Sequence, residues 1–229
     1  MRCQAKYERE ARSQGYRLIA GVDEVGRGAL FGPVFAGAVI LSPDRPIRGL
    51  RDSKQLAPDR RETLAQRIRE RALAWALAAI DPFEIDRINI YQASRLAMRH
   101  AIEQLHPAPD FLLVDAVTVD LPVSQRALIH GDALSQSIAA ASIIAKVERD
   151  ACMCEWDLVF PQYGLKRHMG YSTEEHVNAL ERFGPTALHR FSFSPVRANC
   201  PQALWTGYPQ QGDLFPAEAI EYRETVACR

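Results

Sequence analysis

The chain has 229 residues, of which 47% are hydrophobic and 24% are charged, a composition typical of a globular domain with one hydrophobic core. Its 28 basic and 28 acidic residues cancel, so the overall charge does not attract nucleic acid, and any such binding has to use a local basic face. Since we find neither a run of about 20 apolar residues nor a signal peptide, we expect a cytoplasmic protein without a membrane span.

The first part of the chain predicts two strands. Residues 17–22 (RLIAGV) and 34–41 (VFAGAVIL) are short apolar runs, and the second is rich in β-branched residues. The segment between them, GRGALFGP, is dense in glycine and predicts a special turn that joins the strands.

A helix and a third apolar segment follow. Residues 59–71 come after Pro58 and place Leu64 and Ile68 four positions apart on a charged background, which predicts an amphipathic helix. Residues 72–80 (ALAWALAAI) fit a third strand, although their alanines leave a helix open.

The middle of the chain predicts a helix and then a strand. Residues 90–105 have apolar side chains at helical spacing, and the prolines at positions 107 and 109 end the helix. The strand over residues 111–114 (FLLV) ends on Asp115.

Residues 132–154 predict one long helix that has Asp132 at its N-cap. One face of this helix is apolar, formed by Leu134, Ile138, Ala141, Ala145 and Cys152, and another is polar, formed by Ser135, Ser142, Lys146 and Arg149.

The composition changes to Pro, Gly and Gln at Asn199. We therefore expect a compact domain over residues 1–198 and a flexible tail over residues 199–229. Strands first, then a helix-bearing middle, a further strand and more helices predict an α/β fold with a partly antiparallel sheet.

Four acids lie where predicted elements begin or end. Asp23 and Glu24 end an apolar run, where two adjacent carboxylates are costly unless a cation neutralises them. Asp115 ends a strand and Asp132 opens a helix, so all four can meet at one edge of the sheet. Such a set suits two hard cations such as Mg²⁺, spaced about 4 Å apart, which promote phosphodiester hydrolysis.

Each of these acids also has a structural interpretation, because acids at strand ends and helix starts are often caps or turn residues. Other aspartates compete for the role of ligand, and of these Asp150 is the strongest because it lies on the helix that Asp132 begins. The competitors are Asp44, Asp52, Asp81, Asp110, Asp120 and Asp150.

The turn Gly26-Arg27-Gly28 does not match a dinucleotide-binding fingerprint, because its G-x-G-x-x-x-G spacing precedes Pro33 and a strand. Its exposed backbone can instead approach a sugar closely enough to sense a 2′-hydroxyl, and Arg27 would contact a phosphate. A plain hairpin turn is the alternative.

Several motifs together resemble the ribonuclease HII (type 2 ribonuclease H) family. Residues 21–34 (GVDEVGRGALFGPV) resemble the family's opening signature, with Ala29 in place of its usual proline. Further matches follow in order: DSKQL (52–56), FLLVD (111–115), HGD (130–132), AAASIIAKVERD (139–150), FPQYG (160–164), HMGYST (168–173) and RFSFSPV (190–196).

The resemblance implies a ribonuclease H-like mixed β-sheet flanked by helices, with a C-terminal helical part. It implies four metal-binding catalytic carboxylates, Asp23, Glu24, Asp115 and Asp132, for two Mg²⁺ or Mn²⁺ ions, with Asp23 bridging them. Asp150 then becomes a structural or salt-bridging acid.

The implied reaction is hydrolysis of the RNA strand of RNA–DNA hybrids, and cleavage 5′ of single ribonucleotides in duplex DNA, leaving a 3′-hydroxyl and a 5′-phosphate. The implied role is removal of misincorporated ribonucleotides, by a protein that we expect to be a monomer. The backbone of Gly26, Arg27 and Gly28 would read the 2′-hydroxyl and Tyr171 would pack on the adjacent deoxyribose. Lys54, Lys146 and Arg149 would hold phosphates, although Lys146 and Arg149 also fit an ordinary polar helix face.

Two residues depart from the family pattern. Met169 stands where lysine is common, which removes one possible phosphate contact, and Ser172 replaces a common proline beside Tyr171. Neither touches the predicted metal site, so we expect activity with altered affinity.

The tail contains Gln211-Gly-Asp-Leu214-Phe215, which resembles the short peptide with which bacterial replication proteins bind the sliding clamp. Gln211, Leu214 and Phe215 would contact the clamp. The alternative is a Leu-Phe pair that folds back on the domain.

Two other functions remain as hypotheses. A junction resolvase on the same fold would cut all-DNA substrates without a 2′-hydroxyl sensor. A non-catalytic nucleic-acid adaptor carried to the clamp would show no turnover and no metal dependence.

Overall fold

The computed structural model describes residues 5–200, which form a five-stranded mixed sheet with helices packed on both faces. The strands are β1 (Ile19–Val25), β2 (Val34–Ile40), β3 (Ala74–Ile80), β4 (Phe111–Asp115) and β5 (Ser124–Leu128). The helices are α1 (Lys6–Ser13), α2 (Pro58–Arg71), α3 (Pro82–Ile88), α4 (Ile90–Glu103), α5 (Gly131–Leu134), α6 (Gln136–Val159), α7 (Leu165–His168), α8 (Glu174–Phe183) and α9 (Ser194–Ala198).

The sheet has the order β3-β2-β1-β4-β5. β1 lies at its centre, antiparallel to β2 and parallel to β4, while β3 is antiparallel to β2 and β5 is parallel to β4. The predicted α/β fold with a partly antiparallel sheet is therefore confirmed. Because β1 and β4 are parallel neighbours, their carboxyl ends lie at the same edge of the sheet.

Glycines in β1 and β2 allow α6 to lie directly on one face of the sheet. A Cβ atom at Gly21 would lie 2.0 Å from the carbonyl carbon of Ser137, and one at Gly37 would lie 2.6 Å from the carbonyl oxygen of Ala141. On the other face, alternate residues of the same strands, such as Ala20 and Val22, pack with α4. The sheet core is thus built from small side chains and a close helix.

Most predicted elements are confirmed, and the structure decides between strand and helix for the third apolar segment. Residues 74–80 are the strand β3 and not a helix, because the segment pairs along its full length with β2. The strand β5 was not predicted; its side chains are largely exposed at the sheet edge.

The prediction of one helix from Asp132 was wrong. Ser135 is extended, with ψ 134°, and separates the single turn of α5 from α6. Ser135 is also the N-cap of α6, since its Oγ accepts from the backbone N–H of Ile138 at 3.2 Å, so Asp132 lies in the first turn of α5 and is not the N-cap.

The C-terminal helical part is confirmed as well. α7, α8 and α9 gather around an apolar cluster that joins them to the loop after β1 and to α6; its members include Leu30, Phe31, Met153, Tyr163, Leu180 and Val196. Within residues 5–200 no helix has the length and apolar character needed to cross a membrane. The clamp motif at Gln211, Leu214 and Phe215 falls outside the described residues.

Candidate active site

A cavity of about 310 Å³ opens at the sheet edge where β1 and β4 end. All four acids singled out from the sequence line it, although they come from distant points of the chain. The lining residues are Asp23, Glu24, Val25, Ser53, Lys54, Asp115, Asp132, Ser142, Lys146 and Tyr171.

Asp23 is the most deeply placed of the acids, with 5% of its surface exposed. Its Oδ1 accepts a hydrogen bond from the backbone N–H of Glu24 at 2.8 Å. Burial raises the pKa of Asp23 well above its ordinary value, and the negative charges of Glu24, Asp115 and Asp132 raise it further, against a hydrogen bond from Ser142. Asp23 therefore lies where the charges of the other three acids act together.

The pKa values of Asp115 and Asp132 are also raised. Burial raises the pKa of Asp115 to about 6, although its Oδ1 accepts from the backbone N–H of Gly131 at 2.6 Å, which favours the charged form. Burial also raises the pKa of Asp132, and the carboxylate of Asp52 adds to this effect. Carboxylates that disfavour one another's charge in a partly buried cavity are stabilised by a cation.

The side chains that line the cavity have the chemistry to bind a divalent cation. Four carboxylates and the hydroxyl groups of two serines are oxygen donors of the kind that Mg²⁺ and Mn²⁺ prefer. In residues 5–200, however, no three His, Cys, Asp or Glu side chains are grouped closely enough to form a ready metal site. The acids thus share one cavity without forming a closed set of ligands.

Lys54 supplies a positive charge to the lining of the cavity. Burial alone would lower the pKa of its ammonium group, but Asp132 and Asp23 raise it above the ordinary value, so Lys54 stays charged. Lys146 also faces the cavity, and its Nζ donates to Asp150 Oδ1 at 2.6 Å. Since Asp150 also accepts from Arg61 at 3.0 Å, its implied role as a salt-bridging acid is confirmed.

The glycine turn after β1 is held against α6. Gly26 has a φ of +90°, and a Cβ atom there would lie 2.1 Å from Arg149 Nε, so this position accepts no larger residue. At Gly28 a Cβ atom would meet nothing within 4 Å, which leaves the backbone open to a ligand. Arg27 Nη1 lies 3.3 Å from Glu24 Oε1 and so turns toward the acids.

Arg149 does not have the exposed environment that its predicted phosphate contact requires. It is fully buried, and its guanidinium donates to the backbone carbonyl groups of Met169 at 2.9 Å and Phe31 at 3.3 Å. The direct phosphate contact is therefore not supported. The guanidinium carbon of Arg149 instead lies 5.3 Å from the ring centre of Tyr171, so Arg149 packs against that ring and supports it.

Three neighbours of the acids were missed. The hydroxyl groups of Ser53 and Ser142 share a hydrogen bond of 2.9 Å, and Ser142 also bonds Asp23. Asp52, considered only as a competitor, acts on Asp132 by charge. The position of Ser142 on the polar face of the predicted helix was the one signal that could have found it.

The departure at Met169 has a structural counterpart. Its side chain packs on the apolar cluster around Phe31, and its carbonyl oxygen accepts from Arg149. Ser172 is exposed beside Tyr171. Neither residue lines the acidic cavity.

Comparison with known proteins gives one consistent family. The family model for Ribonuclease HII matches residues 20–196. Ribonuclease HII of Solibacter usitatus (strain Ellin6076) is 65% identical over 214 residues, which cover 93% of either chain. The ribonuclease H2 structure from Pyrococcus horikoshii OT3 has the same fold, with a TM-score of 0.69 at 24% identity, covering 80% of this chain and 97% of that one. The PCNA:RNase HII complex from Archaeoglobus fulgidus aligns with a TM-score of 0.67 at 25% identity, covering 81% and 98%. The chain belongs to the ribonuclease HII family of endonucleases.

Proposed function

We propose that this protein hydrolyses the RNA strand of RNA–DNA hybrids and cuts 5′ of single ribonucleotides embedded in duplex DNA, leaving a 3′-hydroxyl and a 5′-phosphate. The observation that carries the proposal is the convergence of Asp23, Glu24, Asp115 and Asp132 on one cavity beside the turn at Gly28. The biological role that follows is removal of ribonucleotides from DNA.

The four carboxylates would hold two Mg²⁺ or Mn²⁺ ions, and Asp23 would be a central ligand, since it is buried and feels the charges of the other three acids. When bound, such ions polarise the phosphate and activate water for attack. Ser142 orients Asp23, and the backbone N–H of Gly131 fixes one oxygen of Asp115. Lys54 balances part of the negative charge and holds a phosphate of the substrate.

Recognition of the ribonucleotide is assigned to the turn and to Tyr171. The open backbone at Gly28 leaves room for a 2′-hydroxyl, and the ring of Tyr171 offers a flat surface to the neighbouring sugar. Lys146 reaches the same cavity and can share its charge between Asp150 and a phosphate. Arg149 has an indirect role, because it fills the space beside Gly26 and packs against the ring of Tyr171.

The test compares a duplex that contains one ribonucleotide with its all-DNA twin, each with and without Mg²⁺ or Mn²⁺. We expect cleavage only of the first duplex, only with the cation, and loss of that cleavage in Asp23→Asn. Equal cutting of both duplexes would identify a junction resolvase-like nuclease. Failure to cut either duplex under all conditions would favour the non-catalytic adaptor.

We also propose that residues 199–229 form a tail that binds the sliding clamp through Gln211, Leu214 and Phe215. The structural relative from Archaeoglobus fulgidus is a complex with PCNA, which supports an association of this kind. We expect Leu214→Ala with Phe215→Ala to abolish clamp binding and to leave cleavage unchanged. Trp205→Ala with Tyr208→Ala removes two apolar residues outside the motif and serves as the matched control. The catalytic domain itself is proposed to be a monomer, which light scattering would check.

A further inference from the structure

A second cleft, separate from the acidic cavity, lies between the loop that follows β2 and the C-terminal half of α2. Its volume is about 510 Å³. We call it the arginine cleft, since it is lined by Arg45, Arg48, Arg67 and Arg71, together with Asp44, Pro46 and Ile47.

The arginines of this cleft differ from others on the surface in their ionic partners. Among the described residues, none of the four forms a salt bridge, whereas arginines elsewhere, such as Arg87 and Arg99, are paired with Glu84 and Glu103. Guanidinium groups held together without carboxylate partners repel one another, and an anion relieves that repulsion.

The charge of the surrounding segment differs from that of the whole chain. Residues 44–71 contain nine basic and five acidic residues, a net charge of +4, although the complete sequence is neutral. This segment therefore supplies a local excess of positive charge of the kind that a neutral protein needs in order to bind nucleic acid.

The cleft also lies within reach of a duplex bound at the acids. Arg48 and Lys54 are six residues apart in the segment that joins β2 to α2, which limits their separation to about 20 Å, and Lys54 lines the acidic cavity. Since duplex DNA rises about 3.4 Å per base pair, an arm of about six base pairs covers this distance.

We propose that the arginine cleft binds the phosphodiester backbone of the duplex arm that flanks the cleavage site. The planar guanidinium group donates two parallel hydrogen bonds to a phosphate, and four such groups around one cleft suit a strand that carries a charge at every nucleotide. The inference rests on the proposed function for the identity of the duplex. It adds a binding surface outside the catalytic cavity.

The test measures binding of an all-DNA duplex in EDTA, so that it does not depend on cleavage. We expect the double variant Arg48→Ala/Arg67→Ala to reduce the slope of log Kd against log salt concentration by about 2, one for each phosphate that the variant no longer neutralises. Arg48→Lys/Arg67→Lys should retain most of the slope, which shows that charge is responsible. Thermal unfolding checks that each variant is folded.

The matched control is Arg87→Ala/Arg99→Ala, which removes the same charge from arginines that already have carboxylate partners. An equal loss of slope in this control would overturn the proposal, because the effect would then belong to net charge. An unchanged slope in Arg48→Ala/Arg67→Ala would also overturn it, as would tripolyphosphate binding at the cleft without any effect on the duplex. If the slope falls as expected while the ribonucleotide duplex stays uncut, the arginine cleft stands and the proposed function fails.

Discussion

Replacing Asp115 with asparagine should stabilise the metal-free protein at neutral pH, even though it removes a proposed catalytic group. Asparagine has nearly the same size and keeps an oxygen that accepts from the backbone N–H of Gly131, a bond of 2.6 Å in the structure. It removes the negative charge that burial, Asp132 and Glu24 all disfavour. The site thus trades stability for function.

The pKa of Asp115 sets the magnitude and the sign of this effect. It rises from an ordinary 3.8 to about 6 in the folded protein. The folded state therefore binds this proton more tightly, and the resulting stabilisation is complete below pH 3.8 and lost as the pH rises through 6. At about 1.4 kcal/mol per pH unit, the upper limit of the loss is about 3 kcal/mol. In a protein of this size, that corresponds to roughly 6–12 °C in melting temperature.

The assay is thermal unfolding of wild type and Asp115→Asn in EDTA between pH 4 and pH 8. We expect the variant to melt at a higher temperature above pH 6, and the advantage to vanish toward pH 4. Asp120→Asn, at an exposed carboxylate, is the control and should change stability by less than about 0.5 kcal/mol. A gain that is absent at pH 7.5, or that does not vary with pH, would refute the electrostatic reasoning.

Three further predictions concern the site and the packing beneath it. Asp23→Asn should slow cleavage by at least about 10²-fold without weakening duplex binding in EDTA. If single-turnover kinetics show a smaller loss of rate, Asp23 is not a ligand of the metal site. Gly21→Ala should cost about 3 kcal/mol or more in urea unfolding, because its Cβ would lie 2.0 Å from the Ser137 carbonyl carbon; a wild-type midpoint would contradict the close approach of β1 and α6. Arg149→Lys should raise KM for the ribonucleotide duplex while kcat changes little, since the lysine cannot serve both carbonyl partners; an unchanged KM would show that Tyr171 is held by other contacts.

The parts of the fold that follow local rules could be predicted from the sequence. Apolar runs gave β1, β2 and β4, and helical spacing gave α2 and α4. The strand β5 could not be found in this way, because an exposed edge strand with the sequence SQRAL has no apolar alternation to distinguish it from a loop.

The break between α5 and α6 depends on a partner far away in the chain. The buried Oε1 of Glu8, on α1, accepts from the Oγ of Ser135 at 2.7 Å and from the backbone N–H of Ser137 at 2.9 Å. These bonds hold Ser135 in an extended conformation that helical periodicity alone argues against. Since the partners are more than 120 positions apart, a local pattern could not reveal them. As a consequence, Asp132 was wrongly predicted to be the N-cap of one long helix.

The candidate acids were identifiable for a different reason. Asp23, Glu24 and Asp115 end strands that are neighbours in the sheet, and the parallel pairing of β1 with β4 brings their ends together. Residue type and position therefore sufficed to nominate them. Pattern alone could not exclude Asp52 as a ligand; in the structure Asp132 lines the cavity, whereas Asp52 is not among the lining residues and acts on Asp132 by charge.

Arg149 shows how a polar residue on a helix face can join two functional features instead of binding a ligand itself. Its side chain occupies the space that a Cβ atom at Gly26 would need, so the glycine turn can form only around it. The same guanidinium bonds the carbonyl group of Met169, two residues before Tyr171, and packs against the Tyr171 ring. The backbone proposed to sense the 2′-hydroxyl and the ring proposed to contact the next sugar are thus fixed by one buried cation. A substitution at Arg149 will displace both together, whereas a substitution at Lys54 will leave both in place and remove the proposed phosphate contact and the positive charge beside the acids.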